Sequence, residues 1–465
     1  MKPIPLKLVE PPSQALYVSE AKVYPREIDG RFQRLRTFCV FWLLGMFYLF
    51  PWLNLGGRQL VLFDLPARKF HVFGLTFWPQ DFYLLALLLI ICAVGLFFVT
   101  ALAGRIWCGY ACPQTVWTEV FLWLERWTEG TRNQRMKLDA GPWTRNKVLR
   151  KSAKQLLWVS FALWTGFTFV GFFTPIRELA VRVATVDLGG WETFWILFYG
   201  FATYGNAGFL REQVCKYMCP YARFQGAMFD THTLIVSYDS ARGEPRGGRR
   251  READLAQLGL GDCIDCNACV QVCPTGIDIR QGLQYECIAC AACVDACDSV
   301  MQKMDYAPGL IRYTTESGLA GGKARIVRPR TLFYAGLLVV LVSGFAIGVG
   351  TRTPVLAELL HDRNALFRET AKGIENSYTV RLVNKTDKDL TLRVSLVDAG
   401  PLRLSGSDVV SLAAAETRQL PLTIATAADA VTANRKIHIQ FVDDTGQTLA
   451  IGRSNFFVPR ERRDR

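Results

Sequence analysis

The sequence predicts a multi-domain membrane protein: an α-helical bundle of about five transmembrane spans, a small cysteine-rich α+β domain, and an all-β domain at the C-terminus. Three observations carry that reading. Half of the 465 residues are apolar, and much of that fraction is gathered into long uncharged runs of the kind that cross a bilayer. Eight of the 14 cysteines crowd into residues 263–297. Beyond residue 352 apolar and polar residues alternate, which is the period-two signature of half-buried strands.

Residues 1–36 are polar and end in Arg31, Arg34 and Arg36, with no small-residue cleavage site after the first apolar run. They read as a cytoplasmic tail and not as a secretory signal. The expected spans are residues 37–53, 82–103, 156–174, 191–210 and 333–349. The fourth is the weakest, because it holds Tyr199, Gly200, Tyr204, Gly205 and Asn206. Lys and Arg in short loops resist translocation. The loop 104–154 carries ten of them, from Arg105 to Lys154, against Arg58, Arg68 and Lys69 in 54–81 and Arg177 with Arg182 after the third span. The expected layout is therefore a four-span membrane domain over 37–236, a cytoplasmic cysteine-rich domain over 237–330, a fifth transmembrane helix over 331–351 and a periplasmic domain over 352–465. This topology also accounts for much of the net charge of +13, which leaves little for nucleic-acid binding to explain. The basic run 242–251 reads as a solvated linker, and 251–259 as a short helix ending at the C-cap glycine Gly259.

Within 263–297 the cysteines form two blocks of C-x2-C-x2-C-x3-C. Zinc prefers two pairs of ligands, and a disulfide knot would need an oxidising compartment. The doubled run fits instead a bacterial-type 2[4Fe-4S] ferredoxin domain, in which the fourth cysteine of each block ligates the other block's cluster. Cys263, Cys266, Cys269 and Cys297 are expected on one cluster, and Cys287, Cys290, Cys293 and Cys273 on the second. Pro274 follows the first block, whereas Asp298 stands at that place after the second.

A second cysteine system follows spans two and four. Cys108-Gly-Tyr-Ala-Cys112-Pro113 and Cys215-Lys-Tyr-Met-Cys219-Pro220 are both C-x3-C-P. On a helix, positions i and i+4 share a face, so each pair can offer two thiols to one metal, with the proline ending or bending the helix. Soft thiolates select Cu(I), zinc or iron–sulfur clusters; a thiol–disulfide pair would need a thiolate of lowered pKa, for which Arg105, Arg211 and Lys216 offer only weak support. Cys39 and Cys92, inside spans one and two, read as packing residues. His71, His232, His361 and His438 form no cluster in sequence. In the C-terminal region, strand-like runs at 378–383, 390–396, 418–424, 436–442 and 454–458 are separated by turn residues, which suggests an immunoglobulin-like sandwich without a disulfide.

The stretches GRIWCGYACPQTVWTE (104–119), REQVCKYMCPYARFQGAMFD (211–230), LIVSYDSARGEPRG (234–247) and the double cysteine run with CPTGIDIR closely resemble the CcoG/FixG/RdxA family of cytochrome c oxidase accessory proteins, a group of membrane polyferredoxins. The resemblance implies an inner-membrane oxidoreductase that reduces Cu(II) to Cu(I) for the copper site of cbb3-type cytochrome c oxidase. It implies two [4Fe-4S] clusters, copper as substrate or bound ion, and copper-handling thiols at Cys108, Cys112, Cys215 and Cys219. Expected partners are the lipid bilayer, a cytoplasmic electron donor, and oxidase assembly factors or copper chaperones. Two other readings stay open: a quinol-linked electron-transfer subunit resembling NapH, and a copper chaperone without reductase activity.

Overall fold

The computed structural model describes residues 22–253, 258–362, 365–371, 373–386, 388–427, 430–431 and 433–459. Most of the expected tail, 1–21, and the middle of the expected helix over 251–259 lie outside these residues. The chain forms two compact units, one of Met1–Met46, Leu96–Phe167 and Phe194–Phe333, the other of Phe47–Gly95, Thr168–Thr193 and Tyr334–Arg465.

In chain order the helices are α1 (Arg31–Leu49), α2 (Phe82–Ala103), α3 (Ile106–Tyr110), α4 (Pro113–Glu129), α5 (Arg132–Ala140), α6 (Arg145–Val170), α7 (Ile176–Ala184), α8 (Gly190–Thr203) and α9 (Pro220–Ala227), with a late helix at Pro329–Gly350. Three helical stretches among the described residues are long and apolar enough to cross a membrane: Arg31–Trp52, Pro79–Ala103 and Pro329–Gly350. They match the first, second and fifth expected spans, and the protein is membrane-associated through them. The other two expected runs are helical but of a different make. The first turns of α6 carry Arg145, Lys147, Arg150, Lys151 and Lys154. The helix α8 passes at Tyr204 into a π-helical turn that runs to Leu210. Of the two glycines that weaken the fourth run, Gly200 serves packing, since a Cβ there would meet Leu163 at 3.2 Å, while Gly205 has open space around it.

The first unit holds the cysteine-rich domain. Strands Ile235–Tyr238 and Ile311–Thr314 pair antiparallel on either side of it in sequence. Val236, Tyr238, Met301, Leu310 and Ile311 form its core together with Cys263 and Cys269. The domain is tied to α1 by an unusual N-cap: the backbone N–H of Gln33 donates to Asp295 at 2.8 Å, and that of Phe32 at 3.3 Å. A carboxylate at that position satisfies orphan amides and suits the positive end of the helix dipole.

Two cations of the 104–154 loop, Arg135 and Lys154, are buried counter-ions. Glu125 and Glu129 are fully buried on one face of α4, while Arg135, Lys147, Lys154 and Arg211 are each under a tenth exposed. Glu125 pairs with Arg211 at 2.8 Å and Arg135 at 3.2 Å, and Glu129 with Lys154 at 2.9 Å. Lys154 and Arg211 also face the Trp158 ring. Alternation of charge along the sequence gives no hint of this cage, because its members come from α4, α5, α6 and the turn after the π-segment.

The second unit is dominated by the C-terminal sandwich. One sheet runs Arg403–Ser405, Thr417–Thr426, Gly373–Asn384, Val355–His361, and the other Val409–Leu412, Leu390–Val397, Arg435–Val442, Thr448–Phe456. Tyr378, Val380, Leu382, Ile424, Ile439, Phe441 and Phe456 fill the space between them. All five expected runs are strands. Val355–His361 is an addition, since VLAELLH does not alternate, yet it pairs along the length of Gly373–Asn384. No cysteine lies beyond Cys297, so the sandwich carries no disulfide. At its base Asp81, buried, accepts from both Arg352 and Lys385 at 2.9 Å.

Candidate metal centre

The two cysteine blocks have the same backbone. Asp265 and Asn267 flank Cys266 with φ of 53° and 56°, and Ala289 and Ala291 flank Cys290 with φ of 52° and 58°. Left-handed residues alternating with right-handed ones turn successive amides toward one side, the nest geometry found around phosphates and iron–sulfur clusters. Each block then lines a cavity. Cys263, Cys266, Cys269 and Cys297 share one with Val300, Met301 and Ile311. Cys273, Cys287, Cys290 and Cys293 share the other with Val236, Ile277 and Ile288, and Cys269 reaches its edge. These are the two sets of four that the spacing predicts, exchange of the fourth thiol included. Burial pushes the thiols up, Cys269 to about 11, Cys287 and Cys297 to about 12, so only a bound cation would make four thiolates tolerable there. The donor set, apolar walls and nest backbone all fit a [4Fe-4S] cluster.

One residue at the first cavity escapes sequence reasoning. Arg280 donates to Asp265 at 2.6 Å and to Asn267 at 2.5 Å, and pairs with Asp278 at 2.7 Å. It clamps the two left-handed residues around Cys266. Its only sequence signal is its place in CPTGIDIR.

The C-x3-C-P pairs differ from the expected continuous helix. Cys108 lies on the short α3 and Cys215 on a π-helical turn, Val214–Met218. Cys112 and Cys219 are instead the N-cap residues of α4 and α9, whose first residues are Pro113 and Pro220. The prolines begin helices here and do not end them, because proline lacks the N–H that the first turn leaves unpaired. Both motifs nevertheless converge. Burial raises Cys215 to about 12, with Cys112, Cys108 and Cys219 adding to the effect. Burial raises Cys108 to about 11, Cys112 and Cys219 contributing, and its S–H donates to the Gln225 amide oxygen at 3.3 Å. Among the described residues no three His, Cys, Asp or Glu side chains converge on a point that would hold one metal ion.

The first motif packs directly on the second cysteine block. A Cβ on Gly109 would stand 2.7 Å from the Ile288 carbonyl oxygen and 2.9 Å from Cys290 Cα. Tyr110, 8% exposed, donates to the Cys290 carbonyl at 3.3 Å and meets the Tyr313 hydroxyl at the same distance. Tyr313 donates in turn to the Ala289 carbonyl at 2.5 Å. Cys108 packs beside Ile288, Cys290 and Ala292. A cavity of about 40 Å³ is lined by Cys215, by Ile288 of the second block and by Thr275, which follows the first. Cys39 is half-buried on α1 and Cys92 exposed on α2, apart from both systems. The histidines are dispersed: His232 bonds Ser317, His361 bonds Asn376, and His438 lies in a sandwich strand.

Residues 210–316 match the family model of a 4Fe-4S dicluster domain, residues 85–130 that of a 4Fe-4S binding domain, and residues 345–459 that of the IG-like fold at the C-terminus of FixG. The nitrogen fixation protein FixG of Rhizobium meliloti is 39% identical over 433 residues, 84% of this chain and 82% of its own. The chain belongs to the FixG/RdxA family. Protein RdxB of Cereibacter sphaeroides is 39% identical over 87% of this chain and 89% of its own length, and protein RdxA of the same organism 38% identical over 84% and 86%. A crystal structure of a FixG-related protein from Vibrio parahaemolyticus is 24% identical over 22% of this chain and 95% of its own, at a TM-score of 0.21. This FixG/RdxA-family member is thus an iron–sulfur redox protein with 4Fe-4S domains and a C-terminal immunoglobulin-like domain.

Proposed function

We propose that this protein is a membrane-bound cupric reductase that prepares Cu(I) for the copper site of a cbb3-type cytochrome c oxidase. Cys263, Cys266, Cys269 and Cys297 would hold one [4Fe-4S] cluster, and Cys287, Cys290, Cys293 and Cys273 the other. Bound there, the clusters supply electrons one at a time, and reduction of one Cu(II) to Cu(I) takes one. Cys108, Cys112, Cys215 and Cys219 receive the metal, each C-x3-C-P pair suiting a soft monovalent ion that two thiolates satisfy. The observation that carries the proposal is the close packing of Gly109 and Tyr110 on the Ile288–Cys290 backbone, because it brings the thiols beside the block that would store the electrons.

The topology follows from the charge pattern: five crossings, with α6 and the α8 segment among them, the cysteine-rich domain in the reducing cytoplasm and the sandwich in the periplasm. A cytoplasmic donor would then reduce the clusters, and oxidase assembly factors or copper chaperones would take the product. The test is anaerobic Cu(II) reduction by purified protein, read as Cu(I) trapped by a chromophoric chelator. The double variant Cys108→Ser/Cys215→Ser is expected to lose most of the rate at unchanged iron content. A wild-type rate in that variant would remove copper from the thiols, and quinol oxidation without copper binding would favour a quinol-linked subunit.

A further inference from the structure

A buried arginine faces the thiols with part of its hydrogen-bonding capacity unused. Arg105 is 4% exposed. One terminal nitrogen donates to the Ala222 carbonyl of α9, while its Nε–H has no partner among the described residues. Burial draws its pKa down, and the charges that oppose this are all thiols, Cys108, Cys287, Cys215 and Cys219, with no carboxylate among them. Three of these belong to the C-x3-C-P motifs and the fourth to the second cysteine block. A guanidinium so far from solvent ordinarily takes a carboxylate, and a buried unpaired N–H costs about 1–3 kcal/mol. Neighbouring Gln225 is fully buried too. Its Oε1 takes the Cys108 S–H, and its Nε2 lies near the Tyr221 hydroxyl without bonding it.

A Cu(I) ion held by two thiolates carries a net charge of minus one, and burying that charge requires a compensating cation. We infer that Arg105 is the counter-charge of the copper site: a positioning residue whose Nε–H is kept for a ligating sulfur and whose positive charge offsets the Cu(I) dithiolate. The inference rests on the copper reading above. Since the same guanidinium faces Cys287, its charge also bears on the second cluster and makes that cluster easier to reduce.

A structural tether and a counter-charge respond differently to substitution. Arg105→Gln keeps an amide donor for the Ala222 carbonyl and removes the charge; Arg105→Lys keeps the charge and loses the planar fork. Full-length protein in detergent is titrated anaerobically with Cu(I) against a chromophoric chelator, and its cluster midpoints are followed by EPR. Arg105→Gln is expected to weaken Cu(I) binding by about 10- to 100-fold, the equivalent of one charge-assisted hydrogen bond, and to lower the midpoint of one cluster and not the other. Arg105→Lys recovers most of both. Should Arg105→Gln lose iron, Arg105→Met, which keeps the length of the side chain without its charge, gives the same weakening. Lysine performing no better than glutamine, or wild-type affinity in a charge-neutralised variant of normal iron content, overturns the inference alone. Absence of Cu(I) binding by the wild type overturns the copper reading, and the inference with it.

Discussion

The two C-x3-C-P motifs share a signature and a local geometry, yet they occupy different surroundings. In both, the second cysteine caps a helix that begins at proline. Between the cysteines, the first motif has Gly109-Tyr110-Ala111 and the second Lys216-Tyr217-Met218. Tyr110 is 8% exposed and Tyr217 59%. The difference traces to one atom. Without a Cβ, Gly109 lets the backbone close on Ile288 and Cys290, which seats the following tyrosine against the block. A lysine at the equivalent position of the second motif could not approach so closely. The first motif is therefore built into the cysteine-rich domain, whereas the second is moored through Arg211 and the Glu125 cage. Local sequence sets the cap; the neighbour decides which motif docks.

The largest expected effect comes from cutting the second mooring. Glu125→Gln leaves Arg211, Arg135 and Lys154 without their shared carboxylate, and losing one partner of a buried ion pair costs about 3–5 kcal/mol. Alkylation mapped by mass spectrometry on metal-free protein is expected to rise at Cys215 and Cys219 and to stay low at Cys108. Equal exposure of all three would mean that the cage holds both motifs alike. The same carboxyl predicts an acid response. Burial pushes Glu125 up, but Arg211, Lys22, Arg135 and Lys154 more than offset this and hold it below the usual carboxylate range. A folded pKa below the unfolded one means stabilisation that is complete above about pH 4.3 and is lost as pH falls through the folded value. Melting temperature should hold between pH 7 and 5 and fall below that range, less steeply in Glu125→Gln.

A smaller effect tests the docking of the first motif. Gly109→Ala drives a methyl into the Ile288 carbonyl and the Cys290 backbone, an overpacking worth about 1–3 kcal/mol. Lys216→Ala should stay within about 0.5 kcal/mol, as substitutions at half-exposed sites usually do. Thermal melts with iron content as a second reading check the pair. If both variants melt alike, the asymmetry described above is not energetic. The smallest effect is at a hydroxyl: Tyr110→Phe removes the bond to the Cys290 carbonyl, about 1 kcal/mol, read in the same melts.

Much of the candidate centre was legible before any fold was known, because ligand spacing is a property of adjacent residues. The repeat around Cys266 and Cys290 is local, and so is the exchange of Cys273 and Cys297 between cavities once two blocks of one spacing are recognised. The polar shell was not legible. Arg280 reaches Asp265 across 15 residues, Gln225 reaches Cys108 across 117, and Tyr313 lies 203 from Tyr110. No periodicity joins positions so far apart. The basic loop 104–154 held more than its charge count announced: Arg135 and Lys154 are also the buried partners of Glu125 and Glu129.

By itself, then, the sequence determined the two cysteine blocks, three apolar helices, the family and the alternation that makes the sandwich, since each depends on spacing along a few turns or strands. Only the tertiary structure decided that Pro113 and Pro220 open helices, that Gly109 and Tyr110 pack on the second cysteine block, and that Arg105 is buried among thiols. These are matters of which surfaces meet. Close approach, burial and counter-charge arise only when distant segments exclude water from a common space, and that is not written in any one stretch of chain.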